Sequence, residues 1–188
     1  MNVFTSMKKM FVACMMLVAS MNMMASTVAE VVAAGAQDNA STSGTVVATY
    51  ARGFLISDGT GYILTYLGSD SGLAIGDVVT VSGTTSMYGG LLQFASGSTF
   101  EKTGTAEVTQ PEPEVLDGAA LDAYLDAPSI KYVQYTGTLN ISGYYYNVNV
   151  DGASTAVGSI QYPAEGLVDA TLHGKKIVVT GYSIGVSG

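Results

Sequence analysis

From Gly44 onward, apolar residues come in short runs of period two, and Gly, Asn, Asp or Ser closes most of the runs. That pattern predicts an all-β chain rich in turns. In the first half it predicts strands over Gly44–Ala51, Gly53–Asp58, Tyr62–Leu67, Val78–Ser82 and Leu91–Ala95. In the second half it predicts Val133–Ser142, Tyr144–Val150, Gly158–Tyr162 and Ile177–Thr180. Asp58-Gly59-Thr60-Gly61 reads as a tight hairpin, because glycine adopts φ > 0 at no steric cost. Two stretches change to helical spacing. "TVAEVVAAG" places Val28, Val31 and Val32 on one face, and "LDGAALDAYLDAP" does the same with Leu121, Tyr124 and Leu125. Asp117 is placed to cap the second helix, and Pro128 lies past its end.

The strand pattern occurs twice. "GTVVATYARGFLISDG" opens on Gly44-Thr45 and closes on Asp58-Gly59; "GTLNISGYYYNVNVDG" opens on Gly137-Thr138 and closes on Asp151-Gly152. Downstream, Gly76, Gly83 and Gly90 match Gly174, Gly181 and Gly188 around an apolar strand. The second repeat is five residues longer between its Asp and the first of these glycines, and "PAEGLVDATLHG" in that interval has room for a helical turn. Gly44, Gly137, Gly83 and Gly181 sit in or beside strands, where glycine permits the sharp bends of a small closed barrel. Between the repeats, "GTAEVTQPEPEVL" is acidic, and Pro111 and Pro113 disfavour both helix and central strand, so it reads as a linker.

The chain begins differently. Lys8 and Lys9 precede an apolar stretch that ends in small residues, the layout of a secretory signal peptide over residues 1–26. Cleavage after Ala25 or Ser26 fits, with Ala36 as the alternative. The apolar run is shorter than the ~20 residues of a membrane span, so no stable transmembrane anchor is expected. The expected location is the periplasm, the cell surface or the medium. The organisation that follows is a first domain over 27–106, a linker over 107–116 and a second domain over 117–188. Loss of the leader takes the formal charge from −8 to −10 and removes Cys14, the one cysteine. The remaining chain has no disulfide and no thiol chemistry. Its charge repels phosphate backbones at long range.

With its "GFLISDGTGYIL" and "GDVVTVSG" segments, the first repeat resembles the OB-fold domains of exported bacterial proteins, which are similar to the nucleic-acid-binding OB family. The second repeat is a more divergent version. The resemblance implies two five-stranded Greek-key barrels, each preceded by a short helix. It implies a ligand face on the second and third strands and on two adjoining loops. In this chain that face nominates Tyr50, Arg52 and Phe54, with Met87 and Tyr88 on the last loop of the first barrel. In the second barrel it nominates Tyr144, Tyr145, Asn147 and Asn149. One irregularity stands out: Phe54 and Ile56 look core-facing, yet the same offsets from the DG turn hold Asn147 and Asn149. A one-residue slip flips every side chain, and a bulge in one repeat would account for it.

Catalytic chemistry finds little support. The lone His173 suits a surface or loop-packing role, and no nucleophile elbow accompanies it. The carboxylates fall mainly in turns (Asp58, Asp77, Asp151) and the linker (Glu112, Glu114). No metal site and no cofactor are implied. The expectation is a non-enzymatic binding module. Its ligand by resemblance is a single-stranded oligonucleotide; alternatives are a glycan held by Tyr and Asn, and a structural or assembly module of a larger surface or secreted protein. Tyr144–Tyr146, Tyr132, Tyr135 and Tyr162 supply rings that could stack on bases or sugars, although aromatics also fill strands because they suit a half-buried pleat. Finally, Gly90 is followed by the strand "LLQFASG" and Gly188 by nothing, so the second barrel is expected to lack its last strand. A protein partner, or a further segment of chain, would complete it.

Overall fold

The computed structural model describes residues 25–187. The leader-like segment up to Met24, with Cys14, lies outside that range, as does Gly188. The fold is all-β with two short helices. In the first unit, α1 (Val28–Ala34) leads into β1 (Ala40–Tyr50), β2 (Gly53–Ser57), β3 (Tyr62–Tyr66), β4 (Asp77–Gly83), β5 (Thr85–Tyr88), β6 (Leu91–Phe94) and β7 (Thr99–Thr105). The second unit contains β8 (Glu114–Val115), α2 (Gly118–Tyr124), β9 (Tyr132–Ser142), β10 (Tyr145–Val150), β11 (Gly158–Ser159), a 3₁₀ turn at Ala170–Leu172 and β12 (Lys176–Tyr182).

The first sheet runs β5-β6-β3-β2-β1-β4-β7. β6 lies parallel to β3 on one side, and β7 lies antiparallel to β4 on the other. Four residues, Ala95–Ser98, join β6 to β7. The sheet must therefore curl until its two ends meet near that corner. Inside the curl sit Val46, Phe54, Ile56, Ile63, Val79, Val81, Leu92 and Phe94, with Val28 and Val31 of α1 closing one end. Phe100 of β7 packs edge-on against Phe54, with ring centroids 5.2 Å apart.

Two strands depart from the sequence expectation. Thr85–Tyr88, read as a loop, forms a hairpin with β6 because Gly89 and Gly90 both take positive φ (58° and 79°) in a two-residue turn. The other is Thr99–Thr105, a stretch with no strand expectation, which pairs with β4. Its pattern has one apolar residue, Phe100, so nothing in its periodicity marks it as a strand.

The second sheet runs β11-β10-β9-β12, with β8 parallel to β9. The linker thus contributes a short strand at Glu114–Val115. The repeat is reproduced in register: Gly44 faces Val79 and Gly137 faces Ile177. Both helices are capped, α1 by the Thr27–Glu30 capping box and α2 by the Asp117 carboxylate accepting from the Ala120 N–H at 2.8 Å. Each helix is also tied to its DG turn, with opposite polarity. Asp58 accepts from the Val28 N–H at the start of α1. In the second unit the helix supplies the carboxylate instead: Asp122 accepts from the N–H groups of Ser154, Thr155 and Ala156.

The slip between the repeats has two parts. β1 carries a bulge between Val46 and Ala48, absent from β9, so Val46 points into the first core while Val47 points outward. In addition, Thr45 faces Ser57, one residue before Asp58, whereas Thr138 faces Asn149, two residues before Asp151. Consequently Val148 and Val150 face the second core, with half-buried Tyr146, and Tyr145, Asn147 and Asn149 alternate outward.

Candidate functional site

The outward face of β2 and β3 in the first unit is not open to solvent along its length. Val47, Leu55 and Leu64 are buried there against Ile130, Tyr182 and Ile184 of the second unit and Val108 of the linker. Tyr182 stacks obliquely on both Tyr62 and Tyr132, with centroids 5.3 and 5.0 Å away, and its hydroxyl donates to the Gln110 side chain at 2.7 Å. Gln110 in turn donates to the Val47 carbonyl at 2.9 Å. The face that the resemblance assigns to ligand is thus half used as an interface.

What remains of it is a cleft of about 220 Å³. One wall is the first unit: Tyr50, Leu64, Tyr66, Tyr88 and Gln93. The other is Gln161 and Tyr162, with the chain from Ile184 to Ser187. Each wall follows from local structure. Tyr66 and Leu64 alternate outward with core-facing Ile63 on β3, and Gln93 lies opposite Leu64 on β6. Gly53 begins β2 at φ 151°, and a Cβ there would overlap the Thr65 carbonyl, so the Tyr50–Gly53 turn can close tightly only with glycine. Tyr88 projects from β5, beside the Gly-Gly turn, and 61% of its surface is exposed at the rim.

Tyr162 carries the strain of the site. It is the one non-glycine residue at positive φ (43°) among the described residues, a conformation that costs on the order of 1 kcal/mol or more. Two contacts hold it. Its carbonyl accepts from the Ala51 N–H at 3.0 Å, and the Arg52 guanidinium lies over its ring at 4.5 Å from the centroid. Burial, then the neighbouring Tyr66 and Tyr162 phenols, push the Tyr50 hydroxyl well above the ordinary tyrosine range, so it stays a neutral donor. Among the described residues, the lining holds four phenols and two carboxamides, and no carboxylate, imidazole or ammonium group.

Of the residues nominated from sequence, Tyr50 and Tyr88 line this cleft, and Arg52 supports it through Tyr162. Met87 is 60% exposed next to Tyr88 but is not part of the lining. Phe54 is corrected: it is fully buried in the first core, because the β1 bulge sets the β1–β2 register that turns it inward. Tyr144 lies in the β9–β10 turn and Tyr145 just after it, both exposed and away from the cleft lining, and Asn147 and Asn149 lie on the outer face of β10. Tyr66, Gln93 and Gln161 were missed. Their outward alternation was legible, but the wall they face comes from the other unit. His173 packs a loop: its Nδ1 accepts from the Ile141 N–H at 3.0 Å.

A larger groove of about 500 Å³ runs beneath the linker. It is wide and shallow, and its two rings, Tyr62 and Tyr182, are already stacked on each other. It offers less to a ligand than the cleft does. Among the described residues no three His, Cys, Asp or Glu side chains cluster as metal ligands, and no helix is long and apolar enough to cross a membrane. No protein-family model matches the chain, and no curated protein or solved structure matches it significantly.

Proposed function

We propose that this is an exported, non-enzymatic binding protein of two OB-type units, and that the cleft between them holds part of a neutral oligosaccharide. The observation that carries the reading is the lining: Tyr50, Tyr66, Tyr88 and Tyr162 with Gln93 and Gln161. Phenol rings offer flat apolar faces for sugar rings, and carboxamides both donate to and accept from hydroxyls. The cleft is smaller than the ~300–1,000 Å³ of a typical small-molecule pocket. It suits one ring of a chain that continues past Tyr88 into solvent. The OB-type reading draws support from the β1-β2-β3 meander, the β1–β4 pairing and the parallel β3–β6 pair in the first unit.

An oligonucleotide is the second reading, favoured by the same rings, which would stack bases at ~1–3 kcal/mol each. It ranks lower because the cleft has one cation beside it, Arg52, and that is engaged on Tyr162. The chain has 12 Tyr and no Trp, so its intrinsic emission is that of tyrosine, and four of the twelve line the cleft. In a titration against a panel of neutral glycans and short single-stranded DNAs, a glycan should quench that emission, and Tyr88→Ala should weaken binding roughly tenfold (~1.4 kcal/mol). Binding by DNA alone, falling steeply with salt, would overturn the glycan reading in favour of the second.

A further inference from the structure

Among the described residues, the outer edge of β12 is vacant where its repeat partner is occupied. β4 pairs with β1 on one side and with β7 on the other. β12, its counterpart, pairs among the described residues with β9 alone. The pairing alternates from the Ser183 N–H, which donates to Lys131, so Val178 and Thr180 turn their backbone groups away from β9. The consequence is visible in the core. Val79 and Val81 are completely buried beneath β7 and Phe100, while the matching Ile177 and Val179 are only half buried. The corner glycines differ in the same sense. A Cβ on Gly83 would overlap Ser98 in the β6–β7 corner, whereas a Cβ on Gly181 would meet nothing.

Charge defines what fits. In the first unit the nearly buried Asp77 binds Lys102 of β7 at 2.6 Å. The matching position in the second unit is Lys175, exposed and without an ion pair among the described residues. Its neighbour Lys176 is tied to Asp151. We infer that β12 receives an extended strand from another polypeptide, with an aromatic residue where β7 has Phe100 and a carboxylate where β7 has Lys102. The backbone of that strand completes the ladder, its ring covers Ile177 and Val179, and its carboxylate pairs with Lys175. This site is independent of the cleft and of its ligand.

The test uses the full chain and two synthetic peptides, residues 98–105 as they stand and the same peptide with Lys102→Glu. The acidic peptide should slow amide exchange at Val178 and Thr180 and bind roughly 2–5-fold more tightly than its parent, the range for an exposed ion pair. Lys175→Glu, on an exposed side chain, should reverse that order. Three results would overturn the inference. One is no protection by either peptide. The second is equal binding of both, unaffected by Lys175→Glu. The third is protection of these amides in the unliganded chain, which would mean that its own sequence or, if light scattering shows a dimer, a second copy covers the edge.

Discussion

The Arg52 guanidinium sits 4.5 Å above the centre of the Tyr162 ring and joins the β1–β2 turn of the first unit to the loop after β11 in the second. The contact does two jobs. It holds a tyrosine in a backbone conformation that few non-glycine residues adopt, and it fixes one wall of the cleft. Arg52→Ala and Tyr162→Ala should each destabilise the chain. In a double-mutant cycle read by urea unfolding, their coupling should be about 0.5–2 kcal/mol. A coupling near zero would show that the ring stands in place without the cation.

Gly83 and Gly181 occupy matching places in the two repeats but different surroundings. Gly83 has φ 155° and no room for a side chain, so Gly83→Ala should cost more than ~1 kcal/mol. Gly181→Ala should be tolerated to within about 0.5 kcal/mol, as at other uncrowded surface positions. Chemical denaturation of the two variants side by side gives the comparison.

Phe54 and Tyr145 separate core from surface. Phe54 is fully buried beside Phe100, and Phe54→Ala should cost about 3–5 kcal/mol. Tyr145 is 70% exposed, and Tyr145→Ala should change stability by no more than about 0.5 kcal/mol. If Tyr145→Ala leaves glycan binding intact while Tyr88→Ala weakens it, the ligand lies in the cleft rather than along β10.

Asp122 is the carboxylate with the strongest pH signature. Backbone N–H groups of Ala156, Ser154 and Thr155 donate to it and hold its pKa far below the ordinary 3.8. Since folding depresses this pKa, its stabilisation is complete above the ordinary value and is lost as pH falls through the folded one. Asp122→Asn should therefore lower Tm at pH 7, and the gap from the parent should narrow steadily below pH ~4. Melting curves from pH 7 down to pH 2 would show it; a gap independent of pH would mean that shape and not charge is what the loop requires.

Much of the architecture was legible along the chain because it rests on local rules. Thr27 and Asp117 stand before helical spacing and cap helices. Alternation marked β1, β2, β3, β4, β9, β10 and β12, and the paired glycines aligned the two repeats, whose Gly44–Val79 and Gly137–Ile177 pairs share a register in the structure. β5 and β7 escaped because neither alternates: one depends on a Gly-Gly turn, the other on Phe100 and the edge of β4. The bulge at Val47 was legible only as a mismatch between repeats, since bulged and regular strands have the same composition.

By itself, then, the sequence determined that the chain builds two related β units, each with a capped helix and a DG turn, because periodicity and turn chemistry act over a few residues. Tertiary structure decided which faces remain open and what surrounds them. Tyr50, Tyr66 and Tyr88 face Gln161 and Tyr162 only because Leu55 and Leu64 are buried against Tyr182 and Ile184 of the other unit. That packing is a property of two assembled surfaces, and no spacing along one strand encodes which surface will meet it.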